Sequence, residues 1–286
     1  MRRTSRHMKR AKRWIESDRF EHFQSSELAS AVGTIELKAG SGRRGRRIVE
    51  ASLRDPSENA LAQATWVARA IDNRIELPEL SESPEAAAFK AAHAGRWTES
   101  LRETTKWFLD QRFSSRPAIL GSFIAATAFE EFEQAKLFAE AGLRANPGDL
   151  ILSNNLAFSH AMSGEIIEAN AAISALDHLD PDRAEAILVN ATRGLIAFRA
   201  GQPDEGRRLY NAAIRGAKAK QLYDKAAQAT VYLAIEECRI HSAVAPQAAA
   251  EARKALDQLL PGMKKIFRHL LDEHCGAGTI QLEPRV

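Results

Sequence analysis

One interval in the sequence constrains the fold more than any other feature. Pro147 and Pro181 stand 34 residues apart, and each lies twelve residues after an alanine, Ala135 or Ala169. From Ala135 onward, small and apolar residues recur three and four positions apart, the spacing that lines one face of a helix. Proline then stops the helix, because it has no amide N–H and disfavours helical geometry in the preceding residue. The interval predicts a repeated pair of helices, with Asp149 placed to cap the next one.

The opposite face of the helix that precedes Pro147 is polar. It carries Glu133, Gln134, Lys136, Glu140 and Arg144. We therefore expect this helix to be half buried, with these polar side chains on the face turned away from the core.

Residues 149–181 carry a fuller pattern of small, apolar and turn positions. These positions are Leu156, Ala157, His160, Gly164, Ala169, Ile173 and Pro181. Their order resembles the tetratricopeptide repeat, a 34-residue unit whose pattern reads W-x2-L-G-x2-Y, then A-x3-F, then P. The resemblance implies an all-α fold, an α-solenoid of antiparallel helix pairs in a right-handed superhelix. The family's tryptophan and tyrosine positions are missing, which leaves open a related helical solenoid.

Other copies of the unit are looser. A glycine followed five residues later by a small residue recurs at Gly95/Ser100, Gly164/Ala169 and Gly201/Gly206. We expect a basic, partly disordered segment at residues 1–24, degenerate repeats ending in an irregular linker at 25–82, a repeat array at 83–260, a capping helix at 261–275 and a disordered tail at 276–286.

Composition supports a helical protein without a membrane segment. Of 286 residues, 45% are hydrophobic and 27% are charged, and strand-forming runs are scarce. The most apolar stretch, residues 118–129, is shorter than the roughly 20 residues that cross a bilayer. The basic start is not followed by the apolar stretch of a secretion signal. The chain has two cysteines, Cys238 and Cys275, and a chain of this size needs no disulfide framework to be stable. We therefore expect it in the reducing cytoplasm.

No stretch matches a familiar catalytic motif. The sequence has no G-x4-G-K-[ST] phosphate loop, no H-E-x-x-H, no C-x-x-C and no G-x-S-x-G. Two groups of soft donors exist, Cys238 with His241, and His269 with His274 and Cys275, but neither supplies four ligands. We interpret them as a half-buried cysteine and surface histidines. The sequence therefore favours a non-catalytic protein with no metal and no cofactor.

Positive charge is concentrated at the amino end. Residues 1–56 have a net charge of +7 and residues 57–286 a net charge of −4, which together give the +3 of the chain. Clustered basic side chains attract phosphate backbones and other polyanions. The candidate polyanion-binding residues are Arg10, Arg13, Arg43, Arg44, Arg46 and Arg47. The alternative is a solvated basic end without a ligand.

The family resemblance also implies a binding surface. In such repeats the first helix of each pair lines a concave groove that holds a peptide, and Asn155 falls where the family often has an asparagine for a ligand backbone. Asn154 and Phe158 lie on the same predicted helix. An exposed amide would suit this role because it offers a donor and an acceptor, although asparagine is also favoured near a helix start. We expect a protein–protein interaction scaffold or adaptor that binds a peptide or protein segment; the alternative is a regulatory protein whose basic end binds nucleic acid.

Overall fold

The computed structural model describes residues 4–17, 20–78, 83–178, 180 and 183–276. In these ranges the chain forms α-helices and one short 3-10 helix but no strand, so the predicted all-α class is confirmed. The helices are α1 (Thr4–Ile15), α2 (His22–Lys38), α3 (Gly42–Ser52), α4 (Glu58–Ala70), α5 (Pro84–His93), α6 (Trp97–Asp110), α7 (Ser115–Ala128), α8 (Phe132–Ala145), α9 (Leu150–Met162), α10 (Ile166–Ser174), α11 (Ala184–Arg199), α12 (Pro203–Ala219), α13 (Tyr223–Arg239), α14 (Ala245–Ala255) and α15 (Pro261–Cys275), with a 3-10 helix at Leu256–Gln258.

The chain divides into two compact units. Unit 1 comprises Met1–Ala87 and Thr105–Gln111, and unit 2 comprises Ala88–Thr104 and Arg112–Val286. None of the described helices is both long enough and apolar enough to cross a membrane.

Unit 1 is organised around α2, which packs against α1, α3 and α4. α2 and α3 cross closely at Gly33 and Gly45. A Cβ atom added at Gly33 would lie 2.6 Å from a methyl carbon of Val49, and one added at Gly45 would lie 2.7 Å from Leu37 Cγ. Because there is no room for a side chain at either position, the two glycines allow the backbones to approach.

In unit 2, consecutive helices pack in pairs: α7 with α8, α9 with α10, α11 with α12, and α13 with α14. The first helix of each pair also contacts the first helix of the next pair, from α7 through α9, α11 and α13 to α15. Small residues lie where the two helices of a pair meet. Ala169 is fully buried, and a Cβ atom added at Gly206 would lie 2.3 Å from the Phe198 ring.

One turn conformation recurs after the first helix of a pair. The residues with positive φ in these turns are Gly40, Gly95, Glu130, Gly164, Gly201 and His241. Positive φ favours glycine because a Cβ atom clashes there, so the turns predicted at Gly95, Gly164 and Gly201 have the expected residue. Glu130 precedes Gly164 by 34 residues, the predicted interval, yet it carries a full side chain at φ 53°.

The local signals around Pro147 act as predicted. α8 ends at Ala145, two residues before the proline. The Asp149 side chain then accepts hydrogen bonds from the backbone N–H groups of Ile151 and Leu152, each at 3.0 Å, and caps α9. The partner proline of the interval, Pro181, lies outside the described residues.

The two cysteines are joined, contrary to the expectation from their separation in sequence. Cys238 at the end of α13 and Cys275 at the end of α15 form a disulfide, with Cα atoms 5.6 Å apart. Packing of α13 against α15 through Ile235, Phe267 and Leu271 brings these helices together. Sequence spacing could not show this, because the residues between the cysteines form α14 and the 3-10 helix.

Candidate functional site

The predicted groove residues all lie on α9, but their side chains face the protein interior to different extents. Asn154 is buried, and its Oδ1 atom has no hydrogen-bond partner among the described residues. Asn155 is half-buried rather than exposed. Its amide donates a hydrogen bond of 2.9 Å to Ser122 Oγ on α7, so part of its bonding capacity is used within the protein.

Phe158 belongs to an aromatic cluster inside unit 2. Its ring centroid lies 5.2 Å from that of Tyr232 on α13, and Tyr232 lies 5.6 Å from Phe267 on α15, both pairs edge to face. Such contacts stabilise a core. Phe158 is therefore partly buried against Tyr232 of α13 and the core of unit 2, and it presents little free surface for a ligand.

The predicted basic residues lie on two helices of unit 1. On α1, the guanidinium of Arg10 lies 4.9 Å from the centroid of the Trp14 ring, and Arg13 is exposed. On α3, Arg43, Arg44 and Arg47 are exposed. The three exposed arginines of α3 lie within two turns of that helix, so their positive charges are grouped.

Arg46 differs from its neighbours on α3. Its Nε atom donates to Asp72 Oδ2 at 2.9 Å, and Arg74 donates to Asp72 Oδ1 at 2.8 Å. These hydrogen bonds, first that of Arg74 and then that of Arg46, hold the pKa of Asp72 well below its ordinary value against the opposing effect of burial. Arg46 therefore has a structural role in joining α3 to the segment after α4.

An acidic cavity that the sequence did not predict lies between α8 and the α9–α10 turn. Its volume is about 320 Å³. The lining residues are Glu133, Lys136, Leu137 and Glu140 of α8, His160 of α9, and Glu165 and Glu168 at the start of α10. Four carboxylates and one ammonium group thus give it an excess of negative charge.

Lys136 is the centre of the ion pairs in this acidic cavity. Its Nζ atom donates to Glu133 at 2.6 Å and to both carboxylate oxygens of Glu165 at 2.9 Å. His160 Nδ1 lies 2.5 Å from the second oxygen of Glu165. The lysine is buried, which corrects its predicted place on the polar face of α8; its long side chain reaches across to a carboxylate 29 residues away.

The two ion-pair partners are held in their charged forms. Burial alone would lower the pKa of Lys136, but the hydrogen bonds that it donates to Glu133 and Glu165 outweigh this effect and raise that pKa. The hydrogen bonds of Lys136 and then His160 lower the pKa of Glu165. A neutral lysine base is thus disfavoured at neutral pH, and the arrangement suits recognition of charge.

Exposed carboxylates and an exposed apolar side chain lie together at the rim of the acidic cavity. Glu140 and Glu168 are exposed, and neither forms an ion pair with another described residue. Leu137, which also lines the cavity, is exposed with 64% of its surface accessible. Ile167, the neighbour of Glu168 in the sequence, is exposed as well, with 82% accessible. The sequence predicts Glu133 and Glu140 on the polar face of α8. It does not predict that Glu165 and Glu168 lie opposite them, because that depends on how the helices pack.

The predicted soft-donor groups do not form metal sites as the sequence arranges them. Cys238 and Cys275 bond to each other, which removes both thiolates as ligands. His274 instead meets a carboxylate from a distant part of unit 2, since its Nε2 atom lies 3.1 Å from Glu130 Oε1.

Comparison with known proteins adds no relative. No protein-family model matches the chain, and a search of curated proteins found no match either.

Proposed function

We propose that the protein is a non-catalytic interaction scaffold, a tetratricopeptide-like α-solenoid of helix pairs that binds a peptide or protein segment. The repeated pairing of helices in unit 2 and the recurrent turn support this architecture. Folds of this kind serve many unrelated binding tasks, so the binding site has to be argued from the residues themselves.

The acidic cavity supports the binding role better than the groove that the resemblance implies. Asn155 already donates to Ser122, and Phe158 packs on Tyr232. Glu140 and Glu168, by contrast, are exposed carboxylates that line the cavity together with the exposed Leu137. Exposed apolar side chains next to unpaired charge are typical of recognition surfaces.

The partner that fits this cavity is a basic segment with neighbouring aliphatic residues. An arginine or lysine side chain would enter between Glu140 and Glu168, and its aliphatic neighbours would cover Leu137 and Ile167. The bound cation would be partly removed from water. Its hydrogen bonds to the carboxylates would be charge-assisted, and such bonds are stronger than neutral ones. The observation that carries this proposal is the presence, in one cavity lining, of two unpaired carboxylates and the exposed side chain of Leu137.

Fluorescence anisotropy with two labelled peptides tests the proposal. One peptide alternates arginine with leucine, and the other alternates glutamate with leucine. We expect the full chain to bind only the first, and the double change Glu140→Gln and Glu168→Gln to weaken binding about 5- to 30-fold, the equivalent of about 1–2 kcal/mol. Glu251→Gln, at an exposed position on α14, is the matched control. Equal binding of both peptides, or an unchanged affinity in the double variant, would count against the cavity.

A second candidate function is polyanion binding by unit 1. It is favoured by the exposure of Arg43, Arg44 and Arg47 on α3, whose first turn has no acidic residue. Binding to a labelled single-stranded DNA should then weaken steeply as salt rises, because phosphate contacts release counterions. Replacing these three arginines by glutamine should abolish that binding, whereas the Glu140 and Glu168 changes should leave it intact.

A further inference from the structure

We propose that Glu130, Glu273 and His274 form a binding site for one divalent transition-metal ion such as Zn²⁺. The site lies in unit 2, is separate from the acidic cavity, and does not depend on the proposed scaffold function.

The three residues come from two distant segments of the chain. Glu130 occupies the turn between α7 and α8, and the other two lie in the last turn of α15. One donor atom from each residue, a carboxylate oxygen or an imidazole nitrogen, lies within 4.8 Å of the others. An ion placed among them could reach all three donors through small side-chain movements, because Zn²⁺ binds carboxylate oxygen and imidazole nitrogen at about 2.0–2.2 Å.

The donor set matches the chemistry of a borderline metal ion. One imidazole and two carboxylates suit zinc and its neighbours better than calcium or magnesium, which prefer oxygen ligands alone. His269 is the nearest additional donor, since its Nε2 atom lies 3.6 Å from Glu273 Oε2. The fourth position would be filled by His269 or by water.

Two features hold the donors in place. The disulfide ties Cys275, the neighbour of His274, to α13. Glu130 lies in a turn whose counterparts after α9 and α11 have glycine, Gly164 and Gly201. Among the described turns of this kind, Glu130 alone has a carboxylate, and its Oε1 atom lies 3.1 Å from Nε2 of His274 on α15.

The side chains of the three donor residues are all partly exposed to solvent, so an ion can reach them. Glu130 also lines a second cavity of about 440 Å³, with Gln134 among the other lining residues. The Oε1 atom of Gln134 is buried without a hydrogen-bond partner among the described residues. The positive charge of Arg199 is offset in part by Glu236, to which it donates at 2.7 Å and which it shares with Arg239. Arg199 therefore repels a bound cation less than a guanidinium without a partner would.

Isothermal titration of the full, disulfide-intact chain with ZnCl₂ tests the site. No reductant is added, since free thiolates would supply other ligands. We expect one Zn²⁺ per chain. Glu130→Gln and His274→Gln should each weaken binding more than about tenfold, because even residues behind metal ligands change affinity by about 10–100-fold. Titration with Co²⁺ should give a visible absorption band that both variants lose.

Three further variants make the outcome decisive. Glu130→Gly places in this turn the residue found at Gly164, so it should fold normally and lose the ion. His178→Gln, at an exposed histidine elsewhere in unit 2, should bind as the unchanged protein does. His160→Gln tests whether the titrated Zn²⁺ binds in the acidic cavity instead. Absence of binding to the unchanged protein, equal binding to the Glu130 and His274 variants, or loss of the ion with His160→Gln would each overturn the proposal.

Discussion

At the scale of single residues, the contacts of a side chain decide its role more than its position in a motif. Asn155 matches a family position for ligand binding, but its amide is already bonded to Ser122. Arg46 lies within a run of four arginines, yet it pairs with Asp72 while its neighbours are exposed. Substitutions at both positions should therefore affect folding.

Replacing Asn155 by alanine should lower the free energy of unfolding by about 0.5–1.5 kcal/mol, because it removes the hydrogen bond to Ser122 Oγ. Urea denaturation followed by circular dichroism gives this value. Asn170→Ala, at an exposed position on α10, should cost less. A cost at Asn155 no larger than at Asn170 would mean that the hydrogen bond to Ser122 contributes nothing.

Asp72 should make the stability of unit 1 depend on pH in the acidic range. Its pKa is depressed in the folded state by Arg74 and Arg46, so its contribution is present above the unfolded pKa of about 4 and is lost as the pH falls towards the folded value. Asp72→Asn should therefore be less stable than the unchanged protein at pH 7, and the difference should shrink by pH 3. Urea midpoints at both pH values measure it, with Asp224→Asn on α13 as the control. A constant difference would show that the aspartate acts by packing alone.

At the scale of helices, the sequence predicted most of what local patterns determine. The end of α8 before Pro147 and the cap at Asp149 follow from backbone chemistry within a few residues. The turns at Gly95, Gly164 and Gly201 follow from the same spacing. Glu130 shows the limit of this reasoning, because a glutamate gives no sequence signal for a turn with positive φ.

Replacing Ala169 by leucine should destabilise the protein by about 1–3 kcal/mol, because overpacking forces helices apart. Ala169 is fully buried on α10. The matched control is Ala171→Leu, two residues away on the exposed side of the same helix. Thermal or urea unfolding of the two variants should differ clearly; equal stabilities would contradict the assigned crossing of α9 and α10.

At the scale of the whole molecule, the features that suggest function depend on contacts between distant residues. Lys136 pairs with Glu165 across 29 residues, Cys238 with Cys275 across 37, and Glu130 with His274 across 144. Periodicity assigns a residue to a face of its own helix, but it does not say which helix lies opposite. The acidic cavity and the candidate metal site could therefore be found only from the packed structure.

The central claim is that the rim of the acidic cavity selects a partner by charge, and a charge reversal tests it most directly. Glu140 and Glu168 are exposed, so changing both to lysine should leave the fold intact, as most surface substitutions do. Affinities of this variant for the arginine–leucine and glutamate–leucine peptides are measured by anisotropy at two salt concentrations. If the rim selects by charge, the preference between the two peptides should invert, and the variant should bind the glutamate–leucine peptide more tightly. A folded variant that still prefers the arginine peptide would contradict it.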